Sequence, residues 1–240
     1  MKNLIKNSLY HRVHFRSCLF ILVLGSLVYG NHLQNPFQFD TVAYITNHHR
    51  LDNINEQLNI NYFWKEFIHR GLLQISLAFN VHLDGFRTFG YHLINMLLHL
   101  INSVLVYFIT LRIWCYLGTI NCKPKENEIR FVAIFTAVLF LIHPIQTESV
   151  IYIMSRSEVF AGTFYLSSFL LFQIYLVRDR PVKTAFKVLV LFIISIAFIL
   201  GFSVKQTVIT LPLMLLLYFF FGQESESASI RWLNRRKWGI

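Results

Sequence analysis

Six long apolar blocks, separated by polar segments, constrain the fold of this chain more than any other feature of its sequence. The blocks lie near 18–29, 91–117, 131–142, 159–177, 188–202 and 208–221. They lack the polar face that an amphipathic helix presents to water. Only 14% of the residues are charged and 55% are hydrophobic, which is unlike a soluble domain. The sequence therefore predicts an all-α membrane protein, a multi-span helical bundle with about six transmembrane helices.

The third block, 131–142, is the weakest of the predicted spans. A helix needs about 20 residues to cross the hydrocarbon core, so flanking residues such as Phe15, His32 and Pro144 are expected to extend the shorter blocks. A re-entrant segment is the alternative for the third block. The first block follows a basic N-terminus, as a secretory signal peptide does. Because no convincing small-residue cleavage site precedes His32, we expect the first span to be retained.

Lysine and arginine residues are segregated between the two sides of the predicted spans. Six crossings place sixteen of them on one side and six on the other. Because cytoplasmic loops carry the excess of positive charge, both termini are predicted to be cytoplasmic, in a bacterial inner membrane or an endoplasmic reticulum. The net charge of +10 is then a topology signal and a contact with lipid headgroups, and no nucleic-acid partner is expected.

Two regions are expected along the chain: a membrane-embedded module, 1–222, and a polar, basic cytoplasmic tail, 223–240. Cys18 and Cys115 lie in or beside spans and Cys122 in a cytoplasmic loop. Their spacing shows neither a disulfide framework nor a metal-binding pattern.

The connection between the first two spans, residues 31–90, is far longer than a turn, and loops of this length usually have a function. Within 62–81, apolar residues from Phe63 to Phe79 recur at helical spacing between polar ones. The pattern predicts an amphipathic helix lying on the outer membrane surface. The same periodicity fits a helix that packs only against protein.

Two further polar segments interrupt the apolar sequence on the same predicted outer side. The first, 143–158, contains Glu148 and Arg156, and the second, 203–207, contains Lys205 as its only charge. Ionisable groups near the membrane are costly, so they face a cavity, bind a polar ligand or neutralise one another. The outer segments together bring acids, bases and a histidine to one face, as an active site at the membrane interface or a receptor surface would require.

Several short motifs in these outer segments occur in one order along almost the whole chain. They are Tyr29-Gly30-Asn31 and Asn35-Pro36-Phe37-Gln38-Phe39-Asp40, then Phe89-Gly90-Tyr91-His92-Leu93-Ile94-Asn95 with Leu98-His99, then His143-Pro144 with Thr147-Glu148, and Arg156-Ser157-Glu158. Their order and placement between spans resemble the transmembrane and tetratricopeptide-repeat protein O-mannosyltransferases and their bacterial relatives. These proteins are members of the C superfamily of glycosyltransferases.

The resemblance implies a membrane glycosyltransferase that passes a sugar from a polyprenyl-phosphate carrier to an acceptor, such as a protein, on the outer or lumenal face, with inversion. It assigns Asp40 as the general base that takes the proton of the acceptor hydroxyl. The alternative for Asp40 is a helix-capping acid. No cofactor beyond the lipid-linked sugar donor is firmly predicted, and the need for a metal is left open.

The resemblance also implies roles for the other polar residues of the outer face. Arg156, Lys205 and Arg70 are expected to stabilise the carrier phosphate as it leaves. Glu148 would orient Arg156 or hold a sugar hydroxyl, and Glu158 and Thr41 complete the expected substrate-binding and carrier-binding positions. The histidines His92 and His99 are expected to be packed and hydrogen-bonded rather than catalytic.

The chain departs from the family pattern at three places. Thr41 stands where a second acid is usual, Gly71 follows Arg70 in place of proline, and Lys205 is flanked by Val204 and Gln206 in place of serine and glutamate. The sequence also contains no 34-residue repeat of the tetratricopeptide type, so we expect an incomplete module. The alternative function is a noncatalytic or truncated membrane component of a glycosylation or envelope assembly.

Overall fold

The computed structural model describes residues 2–46, 59, 61, 65, 70–117, 125–176 and 184–220. Every regular element in these ranges is helical, so the predicted all-α membrane fold is confirmed. The helices are α1 (Lys2–Tyr29), α2 (Asp40–Thr46), α3 (Gly71–Asp84), α4 (Thr88–Leu117), α5 (Glu126–Ile142), α6 (Gln146–Ile151), α7 (Arg156–Leu176), α8 (Thr184–Val204) and α9 (211–220). Short 3₁₀ turns cover Gly30–His32, Ile153–Ser155 and Gln206–Thr210. The predicted tail, 223–240, lies outside the described residues.

Three of the described helices are long and apolar enough to cross a membrane: Arg12–His32, Thr88–Trp114 and Thr184–Val204. They coincide with the first, second and fifth predicted spans. A shorter apolar helix, Gln206–Phe220, lies at the position of the sixth. At the weak third position, α5 is one continuous helix of 17 residues that ends directly before His143, about 25 Å long at the usual helical rise. The total of six crossings stays a prediction.

Helix α4 is the centre of the bundle, because it packs against α1, α3, α5, α6 and α7. One core cluster joins α4 to α1 and α5, with Tyr107 and Leu100 of α4 against Ile21 and Leu141. The phenol of Tyr29 donates a hydrogen bond of 2.9 Å to the carbonyl of Leu141, which ties the last residue of α1 to the end of α5. The first span thus packs into the core of the described bundle.

The ends of the helices meet at one side of the bundle, which we call the loop end: residues 30–46, 70–92, 143–158 and 203–210. Asn95, near the start of α4, donates to the carbonyl of Tyr152 just before α7. The amide of Leu72 donates to Ser203 Oγ at the end of α8. Helices α1, α5 and α8 therefore end at the loop end, whereas α4 and α7 begin there.

Helix α3 covers only part of the amphipathic helix that was predicted over 62–81. Residues 62–64 and 66–69 lie outside the described residues, and Arg70 has a left-handed φ of 66° directly before the helix begins. Leu73 and Leu77 are buried in a cluster with Tyr91, whereas Phe79 is 48% exposed. One face of α3 is thus packed on protein, and the apolar residues of the other face remain exposed.

Candidate functional site

The segment that leads into α2 is anchored to the start of α4 and to the turn before α7. His92 Nε2 lies 3.0 Å from the carbonyl oxygen of Asn35. The ring of Phe37 packs edge-on against Tyr91, with centroids 5.4 Å apart. Phe39 makes a similar contact with Tyr152 at 6.0 Å. These contacts fix the backbone on the N-terminal side of the predicted base.

Asp40 is the first residue of α2, and its side chain is exposed at the loop end. Phe39 precedes it with a left-handed φ of 50°, a conformation that is uncommon for a residue with a side chain. The neighbouring Thr41 is completely buried. Within the described part of the chain, its hydroxyl has no hydrogen-bond partner. The carboxylate is therefore open to a ligand, whereas the adjacent hydroxyl points into the protein.

Arg156, the first residue of α7, is completely buried. Its Nε donates to Asn95 Oδ1 at 2.8 Å, and its Nη2 donates to the carbonyl of Tyr91 at 3.0 Å. Its Nη1 donates to Asn80 Oδ1 at 2.7 Å and lies 3.0 and 3.1 Å from the hydroxyl and carbonyl oxygens of Ser76. The guanidinium thus joins α3, α4 and α7 through neutral acceptors.

These bonds bear on the role expected for Arg156. Among the described residues no carboxylate forms an ion pair with it, so neither Glu148 nor Glu158 neutralises it here. Because the side chain has no exposed surface, a phosphate would reach the guanidinium only after the surrounding helices had moved. Direct binding of the carrier by Arg156 stays a prediction, and its observed contacts are those of a residue that positions the elements around it.

Three other charged residues predicted for the site come together near the start of α7. Lys205 forms an ion pair with Glu158, which lies in the first turn of α7. Burial lowers the pKa of the Lys205 ammonium, and the positive charge of Arg70 lowers it further. The carboxylate of Glu158 acts in the opposite direction. Arg70, Glu158 and Lys205 form what we call the charge cluster, contributed by three different segments of the chain.

Glu148 lies apart from the charge cluster. Its side chain is exposed on α6, and its carbonyl accepts a hydrogen bond of 3.0 Å from the amide of Tyr152. Because the ring of Tyr152 contacts Phe39, Glu148 and Asp40 lie on neighbouring elements of the loop end. No contact in the described ranges joins Glu148 to Arg156. Those ranges also hold no group of three or more His, Cys, Asp or Glu that could bind a metal ion.

The sequence interpretation missed the residues that hold Arg156, chiefly Asn80 and Asn95. A signal was present, because polar residues recur every three or four positions along the apolar helix α4 and are buried: His92, Asn95, His99, Asn102 and Ser103. His99 Nε2 lies 3.0 Å from the carbonyl oxygen of Leu141. With the contact of His92 described above, the prediction that both histidines are packed and hydrogen-bonded is confirmed.

Comparison with curated proteins agrees with the motifs. The chain is 30% identical to Protein O-mannosyl-transferase TMTC1 of Mus musculus over 159 residues, which are 61% of this chain and 16% of the relative. It is 29% identical to Protein O-mannosyl-transferase TMTC1 of Homo sapiens over 219 residues, 83% of the chain and 23% of the relative. Protein O-mannosyl-transferase F38B6.6 of Caenorhabditis elegans is 25% identical over 228 residues, 90% of the chain and 30% of the relative.

The chain therefore spans less than a third of the length of these relatives. No family model matches it, and no solved structure matches it. These three relatives are nevertheless all named protein O-mannosyl-transferases. The family resemblance inferred from the motifs is confirmed.

Proposed function

We propose, from this relationship to the TMTC family of protein O-mannosyl-transferases, that the chain is part of a membrane glycosyltransferase that mannosylates protein hydroxyl groups. The observation that supports the proposal is the similarity over most of the chain to proteins named for this activity. The structure adds a compatible arrangement, since the loop end carries an open carboxylate, Asp40, and a charge cluster that includes two basic residues.

The donor in this proposal is a sugar linked to a polyprenyl phosphate, and Asp40 is the base. As the acceptor oxygen attacks the anomeric carbon of the sugar, its proton passes to the Asp40 carboxylate. The bond between the anomeric carbon and the phosphate oxygen breaks, and its electron pair leaves with the carrier phosphate. Attack opposite to the leaving group inverts the configuration of the anomeric carbon. General-base assistance of this kind contributes about 10²- to 10⁴-fold to a rate.

The charge cluster stabilises the leaving group in this proposal. Negative charge grows on the carrier phosphate as its bond to the sugar breaks, and cationic donors stabilise that charge. Lys205 and Arg70 are the cations of the charge cluster, and Glu158 holds the Lys205 ammonium in place. Arg156 contributes indirectly in this arrangement, because its hydrogen bonds to Ser76 and Asn80 fix α3 relative to α7.

A noncatalytic membrane component is the second candidate, and Thr41 is the observation that favours it. Its hydroxyl is buried without a hydrogen-bond partner in the described part of the chain, at the position where the family pattern has a second acid. A threonine accepts no proton at neutral pH. In this alternative the loop end recruits a lipid-linked sugar or an acceptor without transferring the sugar.

A transfer assay separates the two candidates. Membranes containing the chain would receive radiolabelled polyprenyl-phosphate mannose and a serine- and threonine-rich acceptor peptide. We expect wild type to label the peptide and Asp40→Asn to lose about 10²- to 10⁴-fold of that activity, because asparagine cannot take the proton. Binding of the labelled carrier would be measured in parallel and is expected to persist in Asp40→Asn.

Glu126→Gln is the matched control, because Glu126 is an exposed carboxylate in the first turn of α5, at the opposite end of the bundle. We expect it to behave as wild type. Full activity in Asp40→Asn would exclude Asp40 as the base. Carrier binding without transfer by wild type would support the noncatalytic candidate.

A further inference from the structure

Asn95 is a completely buried amide in the membrane-crossing helix α4. It lies about two turns after the helix begins at Thr88. An amide in such surroundings costs free energy unless its oxygen and its NH₂ group both find hydrogen-bond partners. The partners of Asn95 therefore indicate what the residue does.

The two ends of this amide form hydrogen bonds with different parts of the site. Its Oδ1 accepts a hydrogen bond of 2.8 Å from Nε of Arg156, the first residue of α7. Its Nδ2 donates to the carbonyl of Tyr152 at 3.3 Å, and the carbonyl oxygen of Ile153 lies 3.5 Å away. Only the NH₂ group can donate to a carbonyl and only the oxygen can accept from an arginine, so the orientation of the amide is fixed.

The nitrogen side of Asn95 leads to the proposed base. The ring of Tyr152 contacts the ring of Phe39 edge-on, and Phe39 directly precedes Asp40. Ile153 shares a core cluster with Ile45 of α2, and the turn Ile153–Ser155 packs against α2. The two residues whose carbonyls face Asn95 thus hold α2 near both of its ends.

The oxygen side of Asn95 leads to the charge cluster. Arg156 lies in the same first turn of α7 as Glu158, which pairs with Lys205. Its Nη1 also holds α3 through Asn80, and Arg70 directly precedes α3. The position of the guanidinium therefore sets the position of the segments that carry the three charged residues.

We propose that Asn95 is a positioning residue that fixes the separation between Asp40 and the charge cluster. The inference rests on the proposed function, in which the acceptor oxygen at Asp40 attacks the anomeric carbon opposite to the carrier phosphate. Such a geometry tolerates little error, because a misplacement of about 1 Å can cost about 10²-fold in rate. Since Asn95 is completely buried, it acts on the reaction through Tyr152 and Arg156 rather than by contact with a substrate.

Asn95→Asp separates the two contacts. The carboxylate keeps an acceptor for Arg156, but it has no N–H to donate to the carbonyl of Tyr152. The charge cluster should stay in place while the segment that holds Asp40 moves. We expect kcat for mannosyl transfer to fall about 10- to 100-fold, while KM for the lipid-linked donor stays near its wild-type value.

A distance measurement tests the same idea without turnover. Spin labels would be placed at Ala43→Cys, an exposed position on α2, and at Gln206→Cys, an exposed position beside Lys205. The three native cysteines would be changed to serine and the protein placed in lipid nanodiscs. We expect one narrow distance distribution in the labelled chain with Asn95 intact, and a broader one after Asn95→Asp or Asn95→Leu.

Asn102→Leu is the matched control, because Asn102 is a second buried amide of α4 that donates a hydrogen bond of 2.8 Å to the carbonyl of Val159, within α7. Its loss should leave the label distance and the kinetic constants unchanged. An unchanged distance in both Asn95 variants would overturn the proposal. Equal broadening in Asn95→Leu and Asn102→Leu would also overturn it, by showing general loosening of the bundle.

The two measurements distinguish this proposal from the proposed function. If the wild-type chain transferred no mannose, the proposed function would fail, and the distances alone would decide whether Asn95 fixes Asp40 relative to the charge cluster. Full transfer with wild-type kcat in Asn95→Asp would instead support the proposed function and refute the positioning role of Asn95.

Discussion

Arg156 Nη1 donates a hydrogen bond to Asn80 Oδ1 across 2.7 Å, although the two residues are 76 positions apart in the sequence. The bond joins the first residue of α7 to α3. Asn95 adds a contact from α4 to the same guanidinium. A buried cation is tolerated only when polar groups replace its water, and here three helices supply them. The position of α3 therefore depends in part on this one side chain.

The first prediction concerns this dependence. Arg156→Met keeps an unbranched side chain but leaves the acceptor oxygens of Asn80 and Asn95 buried without a donor. Each unsatisfied group costs about 1 to 3 kcal/mol, so the two amide oxygens together should lower the free energy of unfolding by about 2 to 6 kcal/mol. Denaturant unfolding in nanodiscs measures it.

Arg87→Met is the matched control for Arg156→Met, because Arg87 is exposed in the turn between α3 and α4. It should change stability by less than about 0.5 kcal/mol. Equal stability losses in the two variants would show that the hydrogen bonds of Arg156 contribute nothing to the bundle.

The second prediction concerns the pH dependence of the charge cluster and rests on the proposed function. Burial and the nearby Arg70 lower the pKa of Lys205 from its usual value of 10.5. The ammonium is lost as pH rises through that pKa, and with it a donor to the carrier phosphate. We therefore expect kcat/KM for the lipid-linked donor to fall on the alkaline side before an ordinary lysine would titrate.

Lys205→Arg tests the assignment, because a guanidinium stays charged throughout that range. The alkaline fall should move to higher pH in this variant. Lys187→Arg, at an exposed position in the first turn of α8, should keep the wild-type profile. An alkaline limb that is identical in Lys205→Arg and wild type would assign the titration to another group.

The sequence predicted those parts of the fold that depend on whether a segment is more stable in lipid or in water. Blocks 91–117 and 188–202 are predominantly apolar, and helices long and apolar enough to cross a membrane occur at both. Lys205 was expected near the other charges of the outer segments, and its ion pair with Glu158 agrees. These features follow from the cost of placing charge or exposed backbone in lipid.

The partners of Arg156 were not predictable in the same way. The sequence interpretation looked for acidic partners of Arg156 and named Glu148 and Glu158. In the structure the guanidinium instead donates hydrogen bonds to Asn80 and Asn95. Neutral amides give no charge pattern, and their pairing depends on how α3 and α4 pack. The buried face of α3 was likewise set by tertiary contacts, because periodicity marks an apolar side without showing what covers it.

The third prediction concerns topology. The charge segregation places the loop end outside and the start of α5 in the cytoplasm. In intact spheroplasts or sealed microsome preparations of known orientation, we expect a membrane-impermeant maleimide to distinguish Gln206→Cys from Lys125→Cys. Both positions are exposed and lie at opposite ends of the bundle. Gln206→Cys should react from the outer or lumenal side and Lys125→Cys only after permeabilisation. The reverse pattern would invert the proposed orientation.

The last prediction concerns the packing of α1, which decides whether the first span belongs to the bundle. A Cβ atom added at Gly25 would collide with side-chain atoms of Leu100 and Leu141, both of which are buried. Overpacking of this kind costs about 1 to 3 kcal/mol, so Gly25→Ala should lower the free energy of unfolding in nanodiscs. At Gly30, just beyond α1, an added Cβ meets nothing within 4 Å, so Gly30→Ala should be close to neutral. If Gly25→Ala were as stable as Gly30→Ala, α1 would not be packed against α4 and α5 in the membrane.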